Sequence, residues 1–367
     1  MKIAIFHNFM DNIGGAEIVD LILARELNAD IYTTNFDIDK IKKMGFSSEN
    51  IYSIGKIPIN APFRQEGAYW RFRRLNLGKK YDFYIIAGDW AMSAALHNKP
   101  NLWYVYSPKR EIWDLYEFTK KESVAWYKGL IYDFWVMVHR YLDKKDIKGI
   151  SKVITISENV KNRVKKYLNR DSIIIYPPIE TSKYKCKKNG DYWLSVNRLI
   201  NHKRVDLQIK AFEELPNEKL VIIGSYEMSK HFRKYAEYVK RIKPENVEIR
   251  NWVDDKELIE LYANCRGFIT TAKDEDFGLT PVEAMASGKP VIAPNEGGYK
   301  ETVINGKTGI LIDNINVDKL VEAVKRMDKE IDKNPVKYKK NCLEQAKKFD
   351  TEVFVKKIKK LINDIKK

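Results

Sequence analysis

Short apolar runs alternate with helix-forming segments along the whole chain. Each run is followed by a turn or a polar stretch, as is typical of buried strands in parallel sheets. In the first half the runs read KIAIFHNF, ADIYTTN, YDFYIIAG, NLWYVYS and SKVITIS, and in the second half YWLSVNRL, KLVIIGS, NVEIRNWV, GFITTA and KPVIAPN. This alternation predicts an α/β protein whose helices cover parallel sheets.

Two helices are predicted from caps and spacing in the first half. Ser157 is placed to cap a helix that ends near Lys165 and Lys166. A second helix is expected between Val124 and Leu142, with its apolar stripe facing the core in preference to a membrane. The stripe consists of Tyr127, Ile131, Phe134, Trp135, Val138, Tyr141 and Leu142.

The last segment, TEVFVKKIKKLINDIKK, also has the pattern of an amphipathic helix. Lysines occupy one face of this helix, and the apolar residues share the other. The apolar residues are Val355, Ile358, Leu361, Ile362 and Ile365. Such a helix either docks on a domain or lies on a membrane. We expect it to span roughly 351–366 and to pack back on the N-terminal half.

The length of 367 residues predicts two domains. Pro177 and Pro178 prevent a central strand from continuing and close the first half. The polar, lysine-rich stretch 183–190 is the predicted linker. We therefore expect an N-terminal domain at 1–182, a C-terminal domain at 190–348, and the helical tail at 349–367.

Composition limits the class of protein. Cys186, Cys265 and Cys342 are far apart and favour neither a zinc site nor a disulfide framework. No apolar run approaches the roughly 18 residues of a spanning helix, so a soluble, cytoplasmic protein is expected. The net charge of +16 fits nucleic acid, an anionic membrane or a solvated lysine-rich surface. Since the chain carries no nucleic-acid-binding motif, no nucleic-acid partner is expected.

The segment DEDFGLTPVEAMASGKPVIA carries the strongest chemical signal. Thr280 is the expected N-cap of a helix that Gly288 terminates. Phe277, Gly278 and Leu279 lead into that helix N-terminus, which suits a phosphate or a sugar hydroxyl. Taken alone, Glu283 would form a capping box with Thr280, and Glu275 would be a solvated carboxylate.

Several ordered segments change that interpretation. EDFGLTPVEAMASGKPVIA, with its E-x7-E pair Glu275 and Glu283, resembles the donor site of retaining glycosyltransferases of family four. SVNRLINHKRVDLQIKAF resembles their diphosphate-binding segment, and GGYKETVINGKTGIL the loop and strand that follow. GGAE, SPKREIWDLY and ISENVKNRVKKYLNRDSIIIYPPIE are similar to a subgroup that includes bacterial O-antigen mannosyltransferases. The resemblance runs from about Lys2 to Asp313.

The resemblance implies a GT-B fold: two Rossmann-like domains facing across a cleft, with the C-terminal helix returning to the N-terminal domain. It implies a metal-independent reaction without a cofactor, in which Arg198 and Lys203 neutralise the diphosphate. Glu275 contacts hydroxyls of the transferred sugar, and Glu283 binds the nucleotide ribose. Arg198, Lys203 and Glu275 are the expected catalytic residues.

Residues of the first half complete the expected site. A turn at Gly14 and Gly15 after the first strand would let the backbone approach the donor phosphates, although a simple tight turn is the alternative. In the subgroup a His-Thr-Pro sequence precedes the acceptor-side residues, which here are Arg110, Trp113 and Asp114. This chain has Tyr106 in place of that histidine. His7 is a better candidate than His97 to take the place of the subgroup's histidine, because His7 ends a strand beside the glycine turn.

Two other functions remain open at this point. An epimerase-like enzyme of similar fold and an inactive nucleotide-sugar-binding subunit each explain part of the sequence, whereas a nucleic-acid binder would explain only the net charge. Within a hexosyltransferase, GDP-mannose is the favoured donor, and UDP-glucose, UDP-galactose and UDP-N-acetylglucosamine are alternatives. The acceptor is a saccharide or a lipid-linked saccharide. The basic, aromatic stretch FRQEGAYWRFRR suggests peripheral contact with an anionic membrane at its inner face; alternatively, Trp70 and Phe72 are core residues.

Overall fold

A computed structural model of the chain describes residues 1–225, 230–251 and 253–366, with only the backbone of 225 and 230–232. The chain forms two compact units. The N-terminal unit contains Met1–Pro178 and Glu352–Lys367, and the C-terminal unit contains Ile179–Thr351. The division therefore follows the proline pair and precedes the lysine-rich stretch at 183–190.

The N-terminal unit is built on one parallel sheet in the order β3-β2-β1-β4-β5-β6-β7. Its strands are β1 Ile3–Phe6, β2 Asp30–Thr33, β3 Ile51–Ser53, β4 Phe83–Ile86, β5 Asn101–Val105, β6 Lys152–Thr155 and β7 Ile173–Ile174. Strands β1, β4 and β5 are buried along their whole length, which explains their continuous apolar runs. Strand β3 was not predicted, because Tyr52 and Ser53 of this edge strand are exposed.

Six helices and several 3-10 turns cover the sheet of the N-terminal unit. The helices are α1 Gly15–Leu27, α2 Ile38–Lys43, α3 Phe63–Arg74, α4 Tyr116–Ser123, α5 Gly129–Asp146 and α6 Glu158–Leu168. A 3-10 turn at Trp126–Lys128 leads into α5. The predicted cap of α6 is confirmed, since the Ser157 hydroxyl accepts a hydrogen bond from the Val160 amide at 3.0 Å.

The C-terminal unit has a second parallel sheet, in the order β10-β9-β8-β11-β12-β13. Its strands are β8 Tyr192–Arg198, β9 Lys219–Ser225, β10 Val247–Arg250, β11 Gly267–Ile269, β12 Val291–Pro294 and β13 Gly309–Ile312. Its helices are α7 Val205–Glu213, α8 Lys230–Ile242, α9 Asp255–Asn264, α10 Leu279–Ala286, α11 Tyr299–Thr302, α12 Val317–Lys333 and α13 Lys339–Lys347. Trp252, which the sequence placed in a strand, lies outside the described residues.

The last helix, α14 Thr351–Lys366, returns to the N-terminal unit as predicted. Phe354 packs on Tyr104 of β5, with ring centroids 5.7 Å apart. Val355, Ile358 and Ile362 of the predicted apolar stripe are buried, and the lysines of the opposite face are exposed. Burial of this stripe anchors the end of the chain on the first sheet.

The segment FRQEGAYWRFRR forms α3, and one face of this helix is part of the core. Tyr69 and Phe72 are fully buried, and Trp70 is 44% exposed. Arg71 donates to the backbone carbonyls of Ile54 and Lys56, and Arg73 pairs with Asp146 at 2.7 Å. The hypothesis that this stretch presents its rings to a membrane is therefore wrong for Tyr69 and Phe72.

The predicted core-facing stripe of α5 is also corrected by the structure. Tyr127, Ile131, Phe134 and Tyr141 are exposed, whereas Trp135 and Leu142 are half-buried against the core. The helix turns a different face inward because that face carries polar groups with buried partners. Among the described residues no helix is both long and apolar enough to span a lipid bilayer.

Candidate active site

The C-terminal unit has a topological switch point between β8 and β11. The chain continues from β8 to β9 on one side of the sheet, and β11 lies on the other side. In open parallel sheets, ligands bind outside the carboxyl ends of the strands at such a point. Arg198 ends β8 here, and the loops at 270–277 and 295–298 follow β11 and β12.

Lys203 and Glu275 meet at this edge of the sheet. The Lys203 ammonium lies 2.5 Å from a carboxylate oxygen of Glu275, and both side chains are largely buried. Burial alone would raise the pKa of Glu275, but the charge and hydrogen bond of Lys203, with smaller effects of His202 and Arg198, hold it below its usual value. The structure thus brings three predicted residues into one ionised cluster.

Arg204, which the sequence analysis did not single out, holds the loop after β11. Its guanidinium donates to the Thr271 carbonyl at 2.6 Å and to the Ala272 carbonyl at 3.3 Å, and it pairs with Glu296. The Thr271 hydroxyl in turn donates to the carbonyls of Lys203 and Arg204. These bonds fix the position of Lys203. The sequence feature that could have indicated this role is the presence of two adjacent cationic residues, Lys203 and Arg204, directly before a helix.

A second unpredicted element is the glycine pair after β12. The Gly298 amide donates to the Glu275 carbonyl at 2.8 Å. A Cβ at Gly297 would lie 2.5 Å from that carbonyl oxygen, and one at Gly298 would lie 2.4 Å from the Phe277 Cα. Glycine is therefore required for the two loops to pack backbone to backbone. The sequence NEGG directly after a strand could have indicated this contact.

Helix α10 begins at Leu279, two residues before the position that the sequence predicted. Its N-cap is Gly278, with φ of 90°, and Thr280 is therefore inside the helix. A Cβ at position 278 would lie 2.7 Å from the Tyr299 ring, and this close approach excludes any residue other than glycine there. Phe277 is buried against Phe349, so its side chain supports the loop and its backbone leads into the helix. Gly288, with φ of 70°, follows the helix end as predicted.

Glu283 does not form the capping box that the local sequence suggests. Its carboxylate accepts a hydrogen bond from the Tyr262 hydroxyl at 2.7 Å. Burial raises the pKa of Glu283, and hydrogen bonds from Tyr262 and Tyr184 offset part of this effect. A carboxylate accepts more hydrogen bonds than these tyrosines supply, so the group retains capacity for a ligand hydroxyl.

In the N-terminal unit, His7 and Tyr106 converge on Asp20. His7 Nδ1 lies 2.6 Å from one Asp20 oxygen, and the Tyr106 hydroxyl donates to the other at 2.6 Å. His7 Nε2 lies 3.0 Å from Glu17, whose second oxygen accepts from the Gly14 amide at 2.8 Å. His97, the other histidine considered, is exposed. The structure therefore joins the two acceptor-side candidates through one buried carboxylate that the sequence analysis missed.

The glycine turn and the remaining acceptor-side residues also lie in the N-terminal unit. Gly14 is the N-cap of α1 and Gly15 its first residue, and their role in donor binding stays a prediction. Arg110 pairs with Asp114 at 2.8 Å. The Trp113 indole donates to Asp143 at 3.2 Å and stacks on Tyr167. No three His, Cys, Asp or Glu side chains in the described part of the chain group as a candidate metal site.

The His7 cluster predicts a stability that falls at alkaline pH. Burial on its own would lower the pKa of His7, but Asp20 and Glu17 outweigh it and raise the pKa to about 10. The ion pairs of His7 therefore contribute their full stabilisation to the folded protein below pH 6.5, which is the pKa of the histidine in the unfolded chain. This contribution is lost as the pH rises through about 10, the pKa of His7 in the folded protein. We expect His7→Gln to cost about 3–5 kcal/mol at neutral pH, because it leaves buried carboxylates unpaired.

Thermal unfolding of the wild type and His7→Gln between these two pH values measures this effect. The difference in midpoint should shrink as the pH rises, and His97→Gln should match the wild type throughout. A His7→Gln difference that stays constant with pH would show that His7 is not charged in the folded protein.

The two parallel α/β units define the class of this protein. Both sheets are Rossmann-like, and crystal structures of glycosyltransferases superimpose on the whole chain. The structure of Anabaena HepE in complex with UDP and glucose has a TM-score of 0.78 at 17% identity, covering 99% of both chains. Sucrose-phosphate synthase from Thermosynechococcus elongatus has a TM-score of 0.72 at 16% identity, covering 99% of this chain and 98% of that one. The chain therefore has the GT-B fold.

Sequence comparison adds the family. Residues 177–349 match the family model described as glycosyl transferases group 1. An uncharacterized glycosyltransferase of Methanocaldococcus jannaschii is 29% identical over 62% of this chain. The alpha-1,3/1,6-mannosyltransferase ALG2 of Dictyostelium discoideum is 29% identical over 40%, and the O-antigen chain mannosyltransferase RfbU of Salmonella typhimurium is 26% identical over 63%. The chain spans 63%, 44% and 74% of the length of these relatives, respectively. The C-terminal unit thus matches the group 1 glycosyl transferase model, and the chain is related to mannosyltransferases.

Proposed function

We propose that this protein is a retaining, metal-independent glycosyltransferase that moves a hexose from a nucleotide sugar to a saccharide or lipid-linked saccharide. The observation that carries the proposal is the Lys203–Glu275 pair, with Arg198 beside it, at the switch point of the C-terminal sheet. A cation for the leaving diphosphate and a carboxylate for the sugar are thereby held side by side.

The leaving group explains the need for both cations. Breaking the bond between the anomeric carbon and the diphosphate leaves negative charge on the phosphate oxygens. Arg198 supplies a planar fork of donors, and Lys203 a compact charge on the same loop. Thr271 and Arg204 fix that loop before the donor arrives, so little reorganisation is required in the transition state. These groups can stabilise the diphosphate without a divalent cation.

Glu275 and Glu283 have separate proposed roles. Ionised Glu275 accepts hydrogen bonds from hydroxyls of the hexose, as its lowered pKa allows. Glu283, which already binds Tyr262, accepts from the ribose of the nucleotide. Mannose is the favoured hexose because two relatives are named mannosyltransferases. The UDP in the HepE structure keeps UDP-sugars among the donors to be tested.

The N-terminal unit is proposed to present the acceptor. His7 and Tyr106, joined through Asp20, provide an imidazole and a hydroxyl at the carboxyl ends of β1 and β5. This arrangement favours an active enzyme over an inactive nucleotide-sugar-binding subunit, because the histidine absent at position 106 has a counterpart at position 7. We place the reaction in the cytoplasm, at the inner membrane face if the acceptor is lipid-linked.

A transfer assay tests this function. Purified protein is incubated with GDP-mannose or one of the UDP-hexoses and with a polyprenyl-phosphate-linked saccharide, and the products are examined by mass spectrometry and NMR. We expect transfer of one hexose with the α configuration of the donor retained. Interconversion of the donor sugar without transfer would favour the epimerase-like alternative. Tight donor binding with neither reaction, under all acceptors, would favour the inactive subunit.

A further inference from the structure

Helix α5 and the 3-10 turn before it present a large apolar surface to solvent. Seven side chains lie on one face at helical spacing, and we call them the α5 surface: Trp126, Tyr127, Leu130, Ile131, Phe134, Met137 and Tyr141. Trp126 is 92% exposed and Leu130 is 85% exposed. Contiguous apolar surfaces of this kind mark interaction sites in folded proteins.

The orientation of α5 is fixed by the polar groups on its inner face. His139 lies 2.5 Å from Glu66, Asp143 pairs with Lys109, and Asp146 pairs with Arg73 at 2.7 Å. All three α5 side chains are buried. Rotating the helix to bury its aromatic residues would leave His139 without its hydrogen-bond partner and the two buried carboxylates without their cations, at a cost of several kcal/mol for each carboxylate. The outward position of the apolar residues is therefore built into the fold.

Charge selects the partner. The three carboxylates of α5 are all paired, since Asp133 binds Lys120 and Tyr116, and the other two are in the buried pairs. On α5 and the 3-10 turns at its two ends, the exposed charged side chains are all cationic: they are the lysines at 128, 144, 145 and 148. The whole chain carries +16. Protein interfaces are depleted in lysine, whereas anionic lipid attracts it.

We propose that the α5 surface docks the protein on an anionic bilayer. The helix lies in the plane of the membrane, its aliphatic residues reach the acyl boundary, and Trp126 and Tyr127 sit at headgroup depth. The terminal lysines contact the phosphates of anionic lipids. This inference goes beyond the proposed transfer reaction, because it holds whether the acceptor is lipid-linked or soluble.

Vesicle co-sedimentation tests the proposal. The probes are vesicles of equal parts phosphatidylglycerol and phosphatidylcholine, and vesicles of phosphatidylcholine alone. We expect the wild type to bind the anionic vesicles and to be released by salt. The double variant Ile131→Ser/Phe134→Ser should lose at least about tenfold in partition to the anionic vesicles. Lys144→Glu/Lys145→Glu should lose binding to the same vesicles by weakening the electrostatic attraction.

A matched control removes comparable apolar area elsewhere. Ile59 and Val336 are 70% and 62% exposed and lie outside the α5 surface, so Ile59→Ser/Val336→Ser should bind vesicles like the wild type. Equal unfolding midpoints establish that the variants are folded. Transfer to a water-soluble acceptor, unchanged in Ile131→Ser/Phe134→Ser, separates failure of docking from failure of the proposed function.

Two results would overturn the proposal. The first is a wild type that ignores anionic vesicles at low salt, or an Ile131→Ser/Phe134→Ser variant that binds them equally well. The second is that sedimentation velocity shows the wild type as a dimer and Ile131→Ser/Phe134→Ser as a monomer, while the two proteins bind vesicles equally. The α5 surface would then be an interface between two copies of this chain.

Discussion

Arg198→Ala is expected to weaken the binding of GDP or UDP by about 2–5 kcal/mol, which is roughly thirty-fold to several thousand-fold in Kd. Arg198 ends β8 at the switch point, close enough to Glu275 to help lower the pKa of that carboxylate. Its guanidinium would therefore face the diphosphate with Lys203 beside it. Arg198→Ala therefore leaves the desolvated phosphate oxygens of the nucleotide with one cationic partner fewer.

A matched control is available at the edge of the same sheet. Arg250 ends β10 and pairs with Glu248 and Glu257. Arg250→Ala removes the same charge from an equivalent strand position outside the proposed site. We expect its affinity for nucleoside diphosphates to equal that of the wild type. Equal losses in the two variants would show that the effect reflects net charge rather than a specific site.

Glu275→Gln is expected to lower kcat by about 10²–10³-fold while sparing the binding of the free nucleotide. Glutamine keeps the shape of the side chain but offers only one carbonyl oxygen to the sugar hydroxyls, where the carboxylate offers two oxygens. The loss of charge also frees Lys203 from its ion pair, so nucleoside diphosphate affinity should stay constant or increase. Turnover with saturating donor and calorimetry with the nucleotide measure the two quantities.

Glu248→Gln provides the comparison for this substitution. It also removes a carboxylate from an ion pair in the C-terminal unit, with Arg250, but at the sheet edge. Its turnover should match the wild type. If Glu275→Gln weakens nucleotide binding but leaves turnover with saturating donor unchanged, Glu275 acts in uniform donor binding, and its assignment to the transferred sugar is wrong.

The parts of the fold that depend on local sequence were predictable. Continuous apolar runs revealed the buried strands, and Ser157 revealed the start of α6, because the relevant contacts lie within a few residues. Strand β3 escaped detection because an edge strand with exposed side chains has no continuous apolar run. The start of α10 was misplaced by two residues because Tyr299, distant in sequence, selects glycine at position 278.

The orientation of α5 could not be predicted from periodicity. The helix carries apolar residues on two faces, with Trp135 and Val136 toward the core and Phe134 and Met137 toward solvent. Which face is buried depends on Lys109 and Arg73, which pair with its aspartates from other elements. The buried positions of Tyr69 and Phe72 were likewise decided by such distant contacts.

The site was predicted only as far as the family resemblance reached. It pointed to Lys203 and Glu275, which contact each other although they are 72 positions apart in sequence. It did not indicate Arg204, Gly298 or Asp20, whose roles are to hold other residues in place. Supporting contacts of this kind link elements that are distant in sequence, so spacing alone does not reveal them.

The central claim is that protein cations, rather than a metal ion, neutralise the donor diphosphate. Calorimetric titration of GDP and UDP onto the wild type and Arg198→Ala, each in excess EDTA, tests it most directly. We expect saturable binding of at least one nucleotide to the wild type in EDTA, and binding weaker by about 2–5 kcal/mol in Arg198→Ala. Binding that requires Mg²⁺ or Mn²⁺ and is equal in the two proteins would contradict it, and would direct attention to Asp274 and Asp276 beside Glu275 as metal ligands.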